Sequence, residues 1–164
     1  MIDKDLKNAK ILIVDDLQSN IDVLQQLLEM EEYTNVETTT DSKLVMDIVK
    51  KNEPDLILLD LLMPNLTGFD IMKLLKSYQE ESLHPDYYRS ILVLTADISP
   101  ETKLKALSEG AKDFLSKPFD LIEVSLRIRN LLEVQYVYQQ LQLRNAFMEE
   151  KIVEFLKVTG DWYR

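Results

Sequence analysis

Residues 55–70 read DLILLDLLMPNLTGFD, and this stretch decides the fold. Leu56–Leu59 are consecutive apolar residues closed by an acid, Asp60. A strand with one wet face alternates polar and apolar residues. An unbroken apolar run of this length fits a strand covered on both faces, as in a parallel sheet between helical layers. Thr67 followed by Asp70 has the spacing of a capping box. A pattern of helical period then runs from Gly68 to Tyr78. The unit is therefore strand, acid, loop, helix.

The same unit recurs on both sides. Lys10–Val14 contains the run ILIV and ends on Asp15-Asp16. Further short runs lie at Asn35–Thr39, Asp55–Asp60, Ser90–Thr95 and Lys112–Leu115, with helical patterns at Asn20–Met30, Lys43–Lys50 and Pro100–Ser108 between them. Ser99 before Pro100 supplies an N-cap and a proline at the first helical position. Gly110 suits the left-handed position after a helix. The expected architecture is (βα)5, a doubly wound α/β domain with a parallel five-stranded sheet in the flavodoxin-like order 2-1-3-4-5. Residues 1–120 make up its core.

The fifth helix departs from the unit. Asp120 with Glu123 has capping-box spacing, and no breaker follows until Gly160. That predicts a helix of about 40 residues, or ~60 Å. From Leu131 the apolar positions step by three and four. Leu131, Tyr138, Asn145 and Ile152 fall at heptad position a, and Val134, Leu141, Met148 and Phe155 at d. A lone Asn at a fixes register in parallel two-stranded coils. Arg144 at g would face Glu149 at e of a parallel partner. Residues 121–159 are thus read as an extended helix whose last part forms a dimeric coiled coil, and 160–164 as a short tail. The competing reading packs this helix back on its own domain or on a missing one.

Composition limits the function. The 164 residues carry 19 Lys+Arg against 29 Asp+Glu, a net charge of −10. The acidity sits in residues 1–120, and the helix beyond is neutral. Such a surface repels nucleic acid. There is no Cys, so no disulfide and no thiolate metal site. No apolar run spans a membrane, and no signal-peptide core opens the chain, so the expected location is cytoplasmic. Three glycines in all leave no way to write a P-loop or a dinucleotide fingerprint.

In an open parallel sheet, functional groups gather at the carboxyl ends of the strands. Asp15, Asp16 and Asp60 end two strands that the order makes neighbours. Thr95 ends the fourth, and Lys117-Pro118 follows the fifth. Three close carboxylates repel one another unless positive charge lies among them. A hard divalent cation held by oxygen, together with Lys117, answers this. A cation, an ammonium and a nucleophilic carboxylate suit phosphoryl transfer, with Asp60 attacking in line. Asp60 needs no base, because a carboxylate is already ionised at neutral pH.

VDD at 14–16, LLDLLMPNLTGFD at 58–70, LTA at 94–96 and KPF at 117–119 together resemble the receiver domain of response regulators, the phosphoacceptors of two-component signalling. The resemblance covers about residues 8–130. It implies Asp60 as phosphoacceptor. It also implies Mg²⁺ held by Asp16, Asp60 and the backbone carbonyl of Leu62, with Asp15 acting mainly through water. Lys117 would pair with Asp60 and then with a phosphoryl oxygen. The Thr95 hydroxyl would donate to the phosphoryl group, its movement coupled to Phe114. The Lys117–Pro118 bond would be cis. The implied partner is a histidine kinase or phosphotransfer protein, and the heptad of the last helix adds a second copy of the chain. Beyond them would lie an output domain or protein. No independent substrate turnover is implied.

Some features are less standard for the family. The stretch Ser77–Arg89 is long and acidic and holds the only histidine, His84, which reads as an exposed loop residue. Leu62 cannot orient an attacking water, whereas Asp97 could; slow loss of the phosphoryl group is expected. The segment RIRNLLEVQYVYQQLQLRN resembles the helix that joins receivers to cyclic-di-nucleotide phosphodiesterase or cyclase domains, so the chain reads either as a fragment of such a regulator or as ending naturally. Two other classes compete. An aspartate-nucleophile phosphohydrolase would need an Asp-x-Asp pair on the first strand, where this chain has adjacent acids. A pure interaction module would not need all five polar groups.

Overall fold

The computed structural model describes residues 2–82 and 89–160. The elements are α1 (Ile2–Lys7), β1 (Lys10–Val14), α2 (Gln18–Met30), β2 (Asn35–Thr39), α3 (Val45–Asn52), β3 (Leu56–Asp60), α4 (Gly68–Glu81), β4 (Ser90–Thr95), α5 (Pro100–Ser108), β5 (Asp113–Ser116) and α6 (Leu121–Gly160). All strand pairs are parallel, and the order is β2-β1-β3-β4-β5. This is the expected doubly wound sheet. The consecutive apolar runs are its reason: every residue of β3 and β4 is buried, and so are Ile11–Val14 of β1.

Alternate residues of these strands feed two cores. Ile11, Ile13, Leu56, Leu58, Leu92 and Leu94 face α2 and α6 and meet Ile21, Leu24, Val124, Ile128 and Leu132. Leu12, Val14, Ile57, Leu59 and Val93 face the other layer and meet Val45, Val49, Ile71, Met72 and Ala106. Register aligns the carboxyl ends. Val14 lies opposite Leu59, Asp60 opposite Leu94, and Thr95 opposite Ser116. The sheet thus delivers its acids to one rim.

The capping signals of α4 and α5 are used as read, and that of α6 in part. Thr67 Oγ1 accepts from the Asp70 N–H, and the Asp70 carboxylate accepts from the Thr67 N–H, a complete capping box. Ser99 caps α5 with Pro100 next to it. Gly110 has φ +112°. The Asp120 carboxylate accepts from Ile122 and Glu123 N–H groups at the start of α6. The Glu123 carboxylate turns instead to Arg127, at 3.0 Å.

Helix α1 has no counterpart in the sequence pattern. Its six residues are too few to show a period, and it is held by tertiary contacts. Leu6 is buried in the first core, and the Tyr136 hydroxyl bonds the Asp5 carboxylate at 3.2 Å. The expected helix from Lys43 begins instead as a 3-10 turn at Ser42–Leu44 before α3. Helix α4 runs on to Glu81, into the long stretch. His84 lies outside the described residues, as do residues 161–164 of the tail.

Helix α6 spans 40 residues, the length expected. Its first five turns belong to the domain. Val124, Ile128, Leu132 and Gln135 are buried, and Gln139 donates to Asp55 Oδ1 at 2.8 Å. The Arg127 guanidinium grips both oxygens of Asp113 on β5 at 2.8 and 2.9 Å. The compact unit therefore extends past residue 120 to Gln139. Between Gln140 and Gly160 no residue is buried.

Candidate functional site

The β1–α2 turn, the end of β3, the end of β4 and the β5–α6 turn meet at the carboxyl rim. Asp15 is 2% exposed and Asp60 4%, while Asp16 is half-buried. One oxygen from each of the three carboxylates lies within 4.8 Å of the others. The Lys117 Nζ is 2.6 Å from Asp15 Oδ2 and 3.1 Å from Asp60 Oδ2. The resemblance implies pairing with Asp60; the ammonium also bonds Asp15, and more closely. A backbone hydrogen bond holds Lys117 there. Its N–H donates to the Thr95 carbonyl at 2.8 Å, and the Lys117–Pro118 bond is cis.

Three carboxylates and one ammonium leave this rim with a charge of −2, in a place where two of the acids are almost dry. Burial pushes the Asp60 carboxyl above its ordinary value. The Lys117 charge opposes that rise and the Asp15 charge adds to it. An all-oxygen donor set with two surplus negative charges fits a hard divalent cation. Asp15, Asp16 and Asp60 can hold one.

The Thr95 side chain is fully buried, and its Oγ1 accepts the Asp97 N–H at 3.2 Å. The hydroxyl hydrogen is left to point at another acceptor. Phe114 is half-buried against the second core. Leu62 is 58% exposed, and its N–H donates to Asp60 Oδ1 at 3.2 Å. The Asp97 carboxylate, read as a candidate for orienting water, is committed elsewhere. It accepts the Thr102 hydroxyl at 2.6 Å and the Ser99 N–H at 2.9 Å, and these bonds hold its pKa below the ordinary value.

Three residues that support the rim or the loop after Asp60 are not among the site residues read from the sequence. The Asn20 amide, from the first turn of α2, bonds both oxygens of Asp15. Gly68 opens α4 directly behind Asp60. Ser42 is buried; its hydroxyl donates to the Pro64 carbonyl at 3.0 Å and accepts the Leu66 N–H at 3.1 Å, tying down the loop after Asp60. Gly68 stands in the quoted motif, and Asn20 follows the acid pair by one helical turn. Ser42 has no signal, because its contact is 22 residues away.

The heptad positions divide. Leu131 packs partly on the chain's own first core, and Tyr138 is half-buried. Val134, Leu141, Met148, Ile152 and Phe155 are 52–65% exposed, and Asn145 is exposed.

A doubly wound five-stranded sheet with an acid triad, a lysine and a buried threonine at its carboxyl rim defines a class of phosphoacceptor switch domains. Residues 11–129 match the response regulator receiver domain, and the chain belongs to that family. It is similar to the transcriptional regulatory protein YvrH of Bacillus subtilis, at 35% identity over 80% of this chain and 52% of that one. It is also similar to the response regulator PleD of Caulobacter vibrioides, at 32% identity over 85% of this chain and 29% of that one. The chain thus spans about half of YvrH and under a third of PleD. Among solved structures, the chemotaxis protein CheY4 of Vibrio cholerae superposes with a TM-score of 0.67 at 30% identity, over 76% of this chain and 98% of that one. Among the described residues no helix is long and apolar enough to cross a membrane.

Proposed function

We propose that this chain is the phosphoryl-accepting part of a two-component response regulator, with Asp60 as acceptor. The observation that carries the reading is the rim itself: a nearly dry carboxylate with an ammonium 3.1 Å away and two further acids beside it. An Asp60 oxygen attacks the phosphorus of a phosphohistidine on a kinase or phosphotransfer protein. An O–P bond forms to give an acyl phosphate, the P–N bond breaks, and the phosphohistidine ring, already protonated on its other nitrogen, leaves as neutral imidazole. Acetyl phosphate substitutes by losing acetate. The ion would be Mg²⁺, which Asp16, Asp60 and the Leu62 carbonyl would hold, with Asp15 alongside. It supplies charge neutralisation for the transferring group. Lys117 pairs a phosphoryl oxygen, and the Thr95 hydroxyl donates to another. With Asp97 engaged and Leu62 apolar, the acyl phosphate is long-lived.

Intact mass after incubation with acetyl phosphate tests the metal dependence. With Mg²⁺ the chain should gain one phosphoryl group. With excess chelator it should gain none. Equal gain in both arms contradicts the reading.

Most helical stability in proteins comes from packing of an apolar face, and a bare extension of about 20 residues has no such packing of its own. The part of α6 beyond the domain is that long and exposes Leu141, Met148, Ile152 and Phe155. A second copy, seated in parallel along the heptad positions with Asn145 facing Asn145, covers them. Phosphorylation shifts the receiver between two states, and α6 carries the shift to the dimer and to an output domain or protein. The cyclic-di-nucleotide phosphodiesterase and cyclase outputs are the alternatives that the linker resemblance favours. Sedimentation equilibrium should give a dimer for the chain and a monomer for the double variant Leu141→Asp, Ile152→Asp. A monomeric parent chain at tens of micromolar would overturn the dimer.

A further inference from the structure

We infer that Asn20 is a positioning residue for the cation site, acting through Asp15; the inference rests on the reading of the rim as a Mg²⁺-dependent phosphoacceptor. A carboxylate as buried as Asp15 must have its oxygens satisfied. Its donors are the Leu17 N–H at 2.9 Å to Oδ1, the Lys117 Nζ at 2.6 Å to Oδ2, and the Asn20 Nδ2 at 3.2 Å to Oδ1 and 3.1 Å to Oδ2. These three differ in what they can fix. The Leu17 amide holds one oxygen and leaves the carboxylate free to turn about it. Lys117 ends a long stem and divides its charge between Asp15 and Asp60. Only Asn20 spans both oxygens, from a short side chain on a 13-residue helix whose Ile21 and Leu24 are anchored in the core.

When a cation enters the rim, Lys117 must share the acids with it. The Asn20 amide is the contact that keeps the Asp15 plane in place while that exchange occurs. Groups that orient a metal-binding side chain in this way typically change affinity by about 10–100-fold when removed. Asn20 is half-buried and sits in the first turn of α2, so trimming it opens no core cavity.

The test compares the whole chain, Asn20→Ala and Asn20→Ser by titration calorimetry with MgCl2, by urea unfolding in chelator, and by the rate of mass gain from acetyl phosphate across Mg²⁺ concentrations. Asn20→Ala should weaken Mg²⁺ binding by about tenfold or more. Its phosphorylation rate should return to the parent value once Mg²⁺ saturates. Asn20→Ser, which keeps a donor, should fall between. Unchanged Mg²⁺ affinity in Asn20→Ala overturns the inference and makes the contact a tether of the β1–α2 turn. A lower saturating rate at unchanged affinity overturns it as well. Should Asn20→Ala fail to fold, Asn20→Ser decides the matter by the same comparison with the parent chain. If the parent chain itself binds no Mg²⁺, the reading of the site fails, a separate result.

Discussion

Asp60→Ala is expected to remove the gain of one phosphoryl group entirely while leaving the chain folded. The acceptor oxygen is lost, and no other carboxylate stands where Asp60 does. Asp15 is occupied by Lys117, Asn20 and the Leu17 N–H. The fold should survive because Asp60 is held at a cost. Its folded pKa lies above the ordinary value of 3.8, so the folded state binds the proton more tightly than the unfolded chain does. Such a group contributes stability fully below pH 3.8, and the contribution is lost as pH rises through the folded value. At neutral pH the charged form is a burden. Asp60→Asn should therefore be at least as stable as the parent in chelator at pH 7, and the difference should shrink towards pH 4. Intact mass and thermal unfolding read the two effects. A phosphorylated Asp60→Ala chain would move the acceptor elsewhere.

Gly68→Ala is expected to damage both stability and chemistry. A Cβ at Gly68 would stand 2.5 Å from the Asp60 carbonyl oxygen and 2.8 Å from Leu61 Cα. Both are backbone atoms in a fully buried strand end, so neither can swing away. Overpacking costs about 1–3 kcal/mol where side chains can adjust. Here β3 or the start of α4 must move, so a loss at or above that range is expected, roughly 6–12 °C in Tm for 3 kcal/mol. The same push displaces the acceptor. A misplacement of about 1 Å in a reacting group costs on the order of 100-fold in rate. Denaturant unfolding and the phosphorylation rate of the folded variant check this. A variant with parent stability and rate would show that the Asp60–Gly68 approach is not a constraint.

The central strands were legible because they are buried on both faces. Leu56–Leu59 and Ile11–Val14 admit few readings other than interior strands of a parallel sheet. Once their order is fixed, the acids at their ends must converge. Asp15, Asp16, Asp60, Thr95 and Lys117 were therefore visible in the sequence as one rim. What was hidden depends on side-chain reach and tertiary support. The closer bond of Lys117 to Asp15 than to Asp60 is a matter of tenths of an ångström, which no spacing encodes. Asp97 looked available because a polar residue near the rim invites a catalytic role; in space it closes the first turn of α5 with Ser99 and Thr102. Helix α1 escaped because six residues are too few to show a period. The point where α6 leaves the domain is hidden for a related reason. Continuous helical period along α6 does not mark where burial stops, and Gln139 still reaches the domain through its bond to Asp55.

The most direct measurement is the location of the phosphoryl group. The chain is phosphorylated in Mg²⁺, the acyl phosphate is reduced with borohydride, and the peptides are read by tandem mass spectrometry. Residue 60 alone should be converted to homoserine, with no conversion in chelator. Modification at Asp15, Asp16 or His84, or at residue 60 without a divalent ion, would contradict it.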